Sequence, residues 1–266
     1  ATDSAVLAEL RCVGAQIQEA EFSDPRGATT KVNEWVREAT SSAIPSLLAP
    51  GDIHAETLAL FLNALWLKGL WKKPFDTTGR GLFRLLSGAL VEATFLKGWL
   101  EHGFFEDEQL QAVEVAYRDE LGAMLFVAPR VGFFERVRNL LTPEGVAALR
   151  RALVLRDFDF RIPQFDLSQE HSLGWILETL GSRVGPSRLH PGESVRFNQM
   201  RQVVRLRIDQ YGTEAAAATF LGGIRGVPQV VAFDRPFLFF VHDAAGQCLF
   251  GGQVVQPSAD GGPGRR

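Results

Sequence analysis

The sequence predicts an α+β domain in which helices pack against large, mainly antiparallel sheets. Residues Thr30–Thr40 place apolar side chains three to four positions apart, which indicates an amphipathic helix. Residues Asp157–Ile162 instead alternate polar and apolar side chains, which is typical of a half-buried strand. Helices and strands do not alternate regularly along the chain, so the pattern favours antiparallel pairing over repeated strand–helix–strand units.

Two segments near the start differ in pattern. In the predicted helix Thr30–Thr40, Val32, Trp35 and Val36 form the apolar face. The following segment, Leu58–Trp71, is almost wholly apolar. Such continuous apolarity predicts a strand buried on both faces, although a buried helix would give the same pattern.

The middle of the chain predicts two strands and then two helices. The strand-like runs are Val113–Tyr117 and Ala123–Ala128. Glu135–Leu141 and Pro143–Leu155 look helical, and Thr142 is placed to cap the second helix, with proline at its first position.

The last third of the chain predicts strands. Val204–Ile208 alternates apolar and arginine side chains. Phe237–Val241 and Cys248–Val255, separated by Asp243–Gln247, predict a β-hairpin. We expect residues 258–266, which are rich in glycine, to be disordered.

Composition excludes several classes of function. The net charge is −3, which gives no reason to expect a nucleic-acid partner or an anionic membrane. No apolar run approaches the ~18 residues that a membrane helix needs. The histidines lack metal-ligand spacing and no Gly-x-Ser-x-Gly motif occurs, so we expect no enzyme activity, metal or cofactor.

The sequence leaves the redox state and the compartment open. Cys12 and Cys248 lie far apart in the chain, and two buried, unpaired thiols are the simpler interpretation of them. The first residues lack the basic start and long apolar segment of a signal peptide. The residues themselves therefore do not indicate a compartment.

One segment, Gly212–Val230, does not fit a purely structural interpretation. Small residues fill its first part, apart from Glu214, and glycines surround a lone basic residue, Arg225, in its second part. The alanines are also compatible with a short helix followed by a plain loop. Composition alone does not choose between that structure and a functional loop.

Five collinear motifs resemble the serpin family, over about Ile17 to Pro257. The segment GTEAAAAT resembles the hinge of the serpin reactive loop, and VNEWV with the later Thr40 resembles the helix that crosses the main sheet. The other three motifs resemble a central strand and the closing strands. The motif DRPFLFFV at Asp234–Val241, together with Gln202, is similar to the plasminogen activator inhibitor and protease nexin branch. The five stretches are Val32–Val36, Phe61–Phe75, Gly212–Thr219, Asp234–Val241 and Leu249–Pro257.

The resemblance implies a serpin fold with an exposed reactive loop, in a single domain spanning 1–257 with the loop at about 212–233. It implies suicide-substrate inhibition of a trypsin-like serine protease, held as a covalent acyl complex, by an extracellular monomer. The implied hinge comprises Gly212, Thr213, Glu214, Ala215, Ala216, Ala217, Ala218 and Thr219.

The resemblance places the reactive bond near Arg225. Counting from Gly212 places cleavage after Gly226, whereas counting back from Pro236–Phe237 places it after Arg225. An arginine offers the acidic pocket of a trypsin-like protease a cation, so we expect the Arg225–Gly226 bond to be cut. The alternative is that Arg225 is a solvated loop charge.

The resemblance also assigns positions where the serpin sheet opens. Asn63 and Gln202 match the shutter, where many serpins have histidine at the second position, and Trp71 matches the top of the sheet. Gln164 and Gln210 match a Lys–Glu pair, so an amide–amide contact would replace an ion pair. The alternative is that Asn63 and Trp71 are sheet-core residues with no part in movement.

Two departures from the family pattern keep other interpretations open. The chain starts inside the serpin pattern, so the N-terminal helices and some strands are expected to be missing. The segment between Gly181 and Met200 is shorter than usual. A non-inhibitory carrier or chaperone and an inactive truncated remnant are the alternatives. The target protease and any glycosaminoglycan dependence cannot be read from the sequence.

Overall fold

The computed structural model describes residues 8, 11–12, 14–55, 57, 59–67, 69–118, 121–173, 200–212 and 229–257. These residues belong to two compact units, each built from separate stretches of the chain. The first unit comprises Ala1–Trp66 and Ser168–Arg205, and the second comprises Leu67–Leu167 and Leu206–Arg266. That residues 1–257 form a single domain stays a prediction, and the tail at 258–266 lies outside the described residues.

Helix α1 (Pro25–Ala39) confirms the first predicted helix and begins five residues before it. The Asp24 side chain caps the helix by accepting a hydrogen bond from the Gly27 N–H at 3.1 Å, and proline occupies the first position. The buried Thr40 caps the C-terminal end of the helix, and its hydroxyl donates to the Val36 carbonyl at 2.7 Å. The capping signals explain why the helix extends beyond its apolar repeat.

Strand β1 (Phe61–Trp66) is shorter and less buried than the sequence predicts. Five of its residues are half-buried and Asn63 is exposed, so the prediction of a strand buried on both faces over Leu58–Trp71 is wrong. Leu62 and Ala64 pack against an apolar cluster that contains Val36 of α1. Only one face of β1 is therefore covered by this cluster.

Strand β1 belongs to a three-stranded sheet, whose other two strands lie partly in the first unit. The three-stranded sheet also contains β7 (Phe165–Ser172) and β8 (Met200–Ile208), in the order β1–β8–β7. Strand β1 pairs with β8 in parallel, in unbroken register from Phe61↔Met200 to Trp66↔Arg205. Strand β8 contains the predicted run Val204–Ile208.

The second unit is built on one large sheet. Its strands are β2 (Thr77–Arg84), β3 (Leu90–Glu106), β4 (Leu110–Ala116), β5 (Ala123–Pro129), β6 (Val154–Pro163), β9 (Val230–Ala232), β10 (Phe237–His242) and β11 (Cys248–Val254). The described strand pairs of this sheet are antiparallel, except that of β6 with β9. The strands follow the order β11–β10–β5–β4–β3–β6–β9, and β2 pairs with β3 outside this path.

Helices α2 (Phe134–Leu140) and α3 (Pro143–Ala152) confirm the two predicted helices, with one correction. The Thr142 hydroxyl caps α3 as expected, accepting from the Gly145 N–H at 3.2 Å. The helix ends at Ala152 and does not reach Leu155, because Val154 and Leu155 pair with Phe104 and Gly103 of β3. Pairing along the sheet therefore overrides the helical pattern at these two residues.

The core of the second unit is mainly aromatic. Phe160 is fully buried and lies 5.2 Å from Phe233 and 6.0 Å from Phe75, measured between ring centroids. Phe165 stacks on Phe239 at 5.7 Å. The aromatic core holds the strands that flank the predicted reactive loop.

Among the helices of the described residues, none has the length and apolar character needed to cross a bilayer.

Candidate functional site

The predicted reactive loop is bracketed by residues that the structure describes. Thr213–Thr219 and the reactive bond Arg225–Gly226 lie outside the described residues. Gly212 on one flank and Gln229 on the other are described, and both belong to the second unit. The geometry of the site is therefore that of its two anchors and of the strand that leads into the loop.

Gly212 forms the first anchor, and the position requires glycine. It pairs with Leu70 in an antiparallel β-bridge and has a φ of +150°. A Cβ atom there would overlap the carbonyl oxygen of Gly69 and lie 2.6 Å from the Leu70 Cα. Both the backbone angle and the close approach exclude a side chain, which explains the glycine at the start of the hinge motif.

Asp209 fixes the turn that leads to Gly212. Its carboxylate accepts hydrogen bonds from the N–H groups of Tyr211 at 2.9 Å and Gly212 at 3.2 Å. The Asp209 N–H in turn donates to the Gly212 carbonyl at 2.8 Å. Sequence reasoning missed this residue, although an aspartate three positions before a glycine is a recognisable turn signal.

Trp71 is fully buried beside this anchor. Its backbone N–H donates to the Tyr211 carbonyl at 2.9 Å, and its indole N–H donates to the Asp209 carbonyl at 3.0 Å. Its ring stacks on Tyr117 at 4.9 Å, and burial raises the pKa of that phenol. Trp71 therefore ties the turn before the loop to the aromatic core.

Gln164 and Gln210, predicted to replace an ion pair, are both half-buried. The Gln210 carbonyl accepts from the Phe75 N–H at 2.8 Å, and the Gln164 N–H donates to the Thr94 carbonyl at 2.7 Å. Among the described residues, the two side-chain amides share no hydrogen bond. Their part in sheet opening stays a prediction.

Asn63 and Gln202 are direct partners in the parallel β1–β8 pair of the first unit. Residues paired in register project to the same face of a sheet, and this face is opposite to the one that packs against α1. Asn63 is exposed and Gln202 is half-buried. The two residues that the resemblance assigned to the shutter are thus brought together, although they lie far apart in the chain.

Strand β9 forms the second anchor. The Asp159 N–H donates to the Gln229 carbonyl at 2.9 Å, and Val230–Ala232 then pairs in parallel with β6. The Phe233 N–H donates to the Arg161 carbonyl at 2.8 Å. The chain after the predicted reactive bond is therefore held by a strand and a buried aromatic side chain.

Arg235 secures the exit from this anchor. Its guanidinium donates to the Pro129 carbonyl at 2.8 Å and to the Gln111 side chain at 3.0 Å. Burial lowers the pKa of Arg235, and the neighbouring Asp234 opposes that shift. Sequence reasoning treated this arginine only as part of a motif, because its two partners lie far from it in the chain.

The described residues offer no group of three or more His, Cys, Asp or Glu side chains that could hold a metal ion.

Cys12 and Cys248 are both free, and both are exposed. The interpretation of them as buried thiols is therefore wrong, whereas their unpaired state agrees with it.

The family model described as Serpin (serine protease inhibitor) matches residues 8–257. The chain belongs to the serpin family. Its relatives include a serine protease inhibitor of Mus musculus that is 32% identical over 90% of this chain and 57% of that protein. Human plasminogen activator inhibitor 2 is 29% identical over 86% of this chain and 60% of its own length.

Solved structures confirm the predicted serpin fold. A thyroxine-binding globulin complex with thyroxine gives a TM-score of 0.83 at 20% identity, covering 97% of this chain and 72% of that one. Native protease nexin-1 with heparin gives 0.80 at 22% identity, covering 96% and 75%. The chain spans about three fifths of the length of the two curated serpins described above.

Proposed function

We propose that this serpin inhibits trypsin-like serine proteases by presenting Arg225 as bait and inserting the cleaved loop into the sheet. The observation that carries the proposal is that β1 and β8 pair directly with each other in parallel, here called the closed pair, as expected before an extra strand is inserted between them. The family is characterised by serine protease inhibition, and the identity of the target class rests on Arg225. An extracellular location and a monomeric state belong to the same proposal.

The closed pair offers a place for an extra strand. The loop follows β8 after a turn at Gly212, so an inserted segment would run antiparallel to β8 and hence also to β1. One parallel interface would be replaced by two antiparallel ones, and antiparallel pairing is slightly more stable per residue. About ten added ladder hydrogen bonds at about 0.5–1.5 kcal/mol each favour insertion by on the order of 10 kcal/mol.

The residue types of the hinge suit this movement. Ala215 to Ala218 are small, which lowers the steric barrier to passing between two paired strands. With a period of two, Ala215 and Ala217 would face inward, whereas Glu214 and Ala216 would face solvent. An inward charge would have to be buried without a partner, at a high cost.

The chemistry belongs to the protease. Its serine attacks the carbonyl carbon of Arg225, the bond to the Gly226 nitrogen breaks, and the new amine takes up a proton. The Arg225 carbonyl is left as an ester on the enzyme. Insertion then has to carry the ester-linked protease away before water reaches the ester, so the outcome depends on how fast the sheet opens.

The test mixes the chain with a trypsin-like protease and follows an SDS-stable complex on a gel. The informative pair of variants is Ala215→Arg and Ala216→Arg, which add the same charge to opposite faces of the inserted segment. We expect Ala215→Arg to be cut at Arg225 without forming the complex, whereas Ala216→Arg retains it. Equal loss of the complex in both variants would contradict insertion.

A cavity in the second unit favours a carrier as the alternative function. It has a volume of about 810 Å³ and is lined by Val146, Phe240, Arg150 and His242, among others. His242 is 2% exposed, and its Nδ1 atom has no hydrogen-bond partner within the described part of the chain. Arg150 is paired with the Glu114 carboxylate, which also lines the cavity, so an amphipathic acid would have Arg151 as its cation, beside the apolar walls and the unpaired ring nitrogen.

Two neighbouring alanines of α3 test this alternative. Ala147 lines the cavity, whereas Ala148, which is also exposed, does not. Binding of a fluorescent unsaturated fatty acid that is lost in Ala147→Trp and kept in Ala148→Trp would support a carrier. Binding that is absent from the unaltered chain would exclude this class of ligand.

A further inference from the structure

Helix α1 and the segment after it form one tightly bonded body within the first unit. The Asn33 side chain accepts from the N–H groups of Leu47 at 2.8 Å and Leu48 at 2.9 Å, and it donates to the Leu48 carbonyl at 2.9 Å. The Thr40 hydroxyl accepts from the Ile44 N–H at 3.1 Å. The segment Thr40–His54, here called the crossing segment, is therefore fixed to α1.

Strand β8 is joined to the crossing segment by two arginines on one face. Arg201 donates to the Asp52 carboxylate at 2.7 Å, and Arg205 donates to the Ala43 carbonyl at 2.5 Å. Between them, Val203 lies in the apolar cluster that contains Ile44. The period of two places all three side chains on the same face of β8.

The ion pair between Arg201 and Asp52 is partly shielded from water. The two side chains are 27% and 19% exposed. Arg201 also donates to Glu170 of β7 at 2.9 Å. One arginine thus has two carboxylate partners, of which one belongs to the crossing segment and the other to the sheet.

These two carboxylates differ in their relation to an opening between β1 and β8. The strand order β1–β8–β7 puts Glu170 on the same side of the opening as Arg201. Residues 55–60 connect the crossing segment to β1, and Leu48 and Ile53 of the segment lie in a second apolar cluster that includes Leu62 of β1 and no residue of β8. Asp52 therefore moves with β1, and the Arg201–Asp52 pair straddles the opening.

Insertion of one strand would widen the β1–β8 separation by about 4.8 Å. A hydrogen bond of 2.7 Å between Arg201 and Asp52 does not survive such a displacement, because hydrogen bonds are weak beyond about 3.2 Å. The contacts from Arg201 to Asp52 and from Arg205 to Ala43 would break, whereas that from Arg201 to Glu170 would remain. The cost of breaking them falls on the opening step.

We propose that Arg201–Asp52 and Arg205–Ala43 form a latch that limits the rate at which the sheet accepts a strand. The inference rests on the proposed function, since it concerns the opening that loop insertion requires. Arg201, Asp52 and Arg205 are positioning residues, because they act by holding β8 against the crossing segment. They would thereby regulate the opening between β1 and β8 into which the loop inserts.

The experiment measures uptake of a synthetic peptide with the sequence of residues 213–224 by the uncut chain. Uptake is followed by native gel electrophoresis, and the melting temperature of the product reports whether a strand has been accepted. Asp52→Asn keeps the shape of the side chain and removes its charge. Glu170→Gln makes the same chemical change on the partner that does not straddle the opening.

We expect Asp52→Asn to take up the peptide roughly tenfold faster, as expected for the loss of one partly shielded charged hydrogen bond. Glu170→Gln should take up the peptide at the rate of the unaltered chain. On binding the peptide, the unaltered chain and both variants should show the same rise in melting temperature. A general loss of stability would not separate the two variants in this way. Circular dichroism of each variant before mixing checks that it is folded.

Two other results overturn the latch in distinguishable ways. If all three chains accept the peptide at one rate and gain stability, the latch is wrong and loop insertion stands. If none accepts the peptide or gains stability, the sheet does not open, and the latch falls together with the proposed function.

Discussion

Replacing His102, one of two buried histidines described in the second unit, should change how the free energy of unfolding responds to acid. His102 lies on β3, 6% exposed, with Phe158 at 5.8 Å and Phe160 at 5.9 Å between ring centroids. Its Nε2 atom has no hydrogen-bond partner among the described residues. Burial, aided by the positive charge of Lys73, lowers the pKa of His102 from 6.5 to about 4.

The direction in which the free energy of unfolding changes with pH follows from proton binding at His102. Between pH 6.5 and about pH 4 the unfolded chain binds a proton at His102 that the folded chain does not, so the free energy of unfolding falls as the pH falls. The full effect below about pH 4 is about 3 kcal/mol, at about 1.4 kcal/mol for each tenfold change in proton affinity. At about pH 5 the loss relative to about pH 8 is about 2 kcal/mol.

The assay compares urea unfolding midpoints at about pH 8 and about pH 5. For His102→Leu we expect the drop between the two pH values to shrink by about 2 kcal/mol, or about 1 M urea. His54→Gln, a change at an exposed histidine, serves as the control and should keep the original drop. If His102→Leu retained the same pH dependence as the unaltered chain, the reasoning about the buried imidazole would be refuted.

Two further predictions concern the anchors of the loop. Gly212→Ala should lower the melting temperature more than Gly51→Ala by roughly 4–8 °C, because both glycines have positive φ but only Gly212 lacks room for a Cβ. Equal losses in the two variants would contradict a steric requirement at Gly212. Arg235→Met should cost about 1.5–3 kcal/mol in urea unfolding, because the Pro129 carbonyl loses its charged donor. Arg235→Lys should recover only part of this, since an ammonium cannot reproduce the fork, and full recovery would contradict the role of the fork.

Local patterns predicted the elements whose signals lie within a few residues. Helix α1 was predicted from apolar spacing, without its first five residues or its cap at Asp24, and α3 was predicted from its helical pattern and the cap at Thr142. Strand β3 was not predicted, because Gly98 and Gly103 interrupt its 17 residues and glycine usually indicates a break in a strand. The end of α3 was misplaced because β3 is the pairing partner of Val154 and Leu155.

The candidate site likewise contains residues that could be predicted from motifs and contacts that could not. The motif resemblance matched Asn63 and Gln202 to the shutter, and the structure pairs them directly. The contact between Arg201 and Asp52 joins residues 149 positions apart, and no motif contains both. Such long-range polar contacts depend on how strands and crossing segments are arranged, which a single sequence does not encode in any local pattern.

A reversible cross-link between β1 and β8 tests the proposed insertion most directly. Asn63→Cys and Gln202→Cys, in a chain whose own Cys12 and Cys248 are replaced by serine, place two thiols on paired residues, close enough for a disulfide. We expect the oxidised chain to be cut at Arg225 without trapping the protease, and reduction to restore the SDS-stable complex. Equal yields of complex from the oxidised and reduced chains would contradict insertion between these two strands.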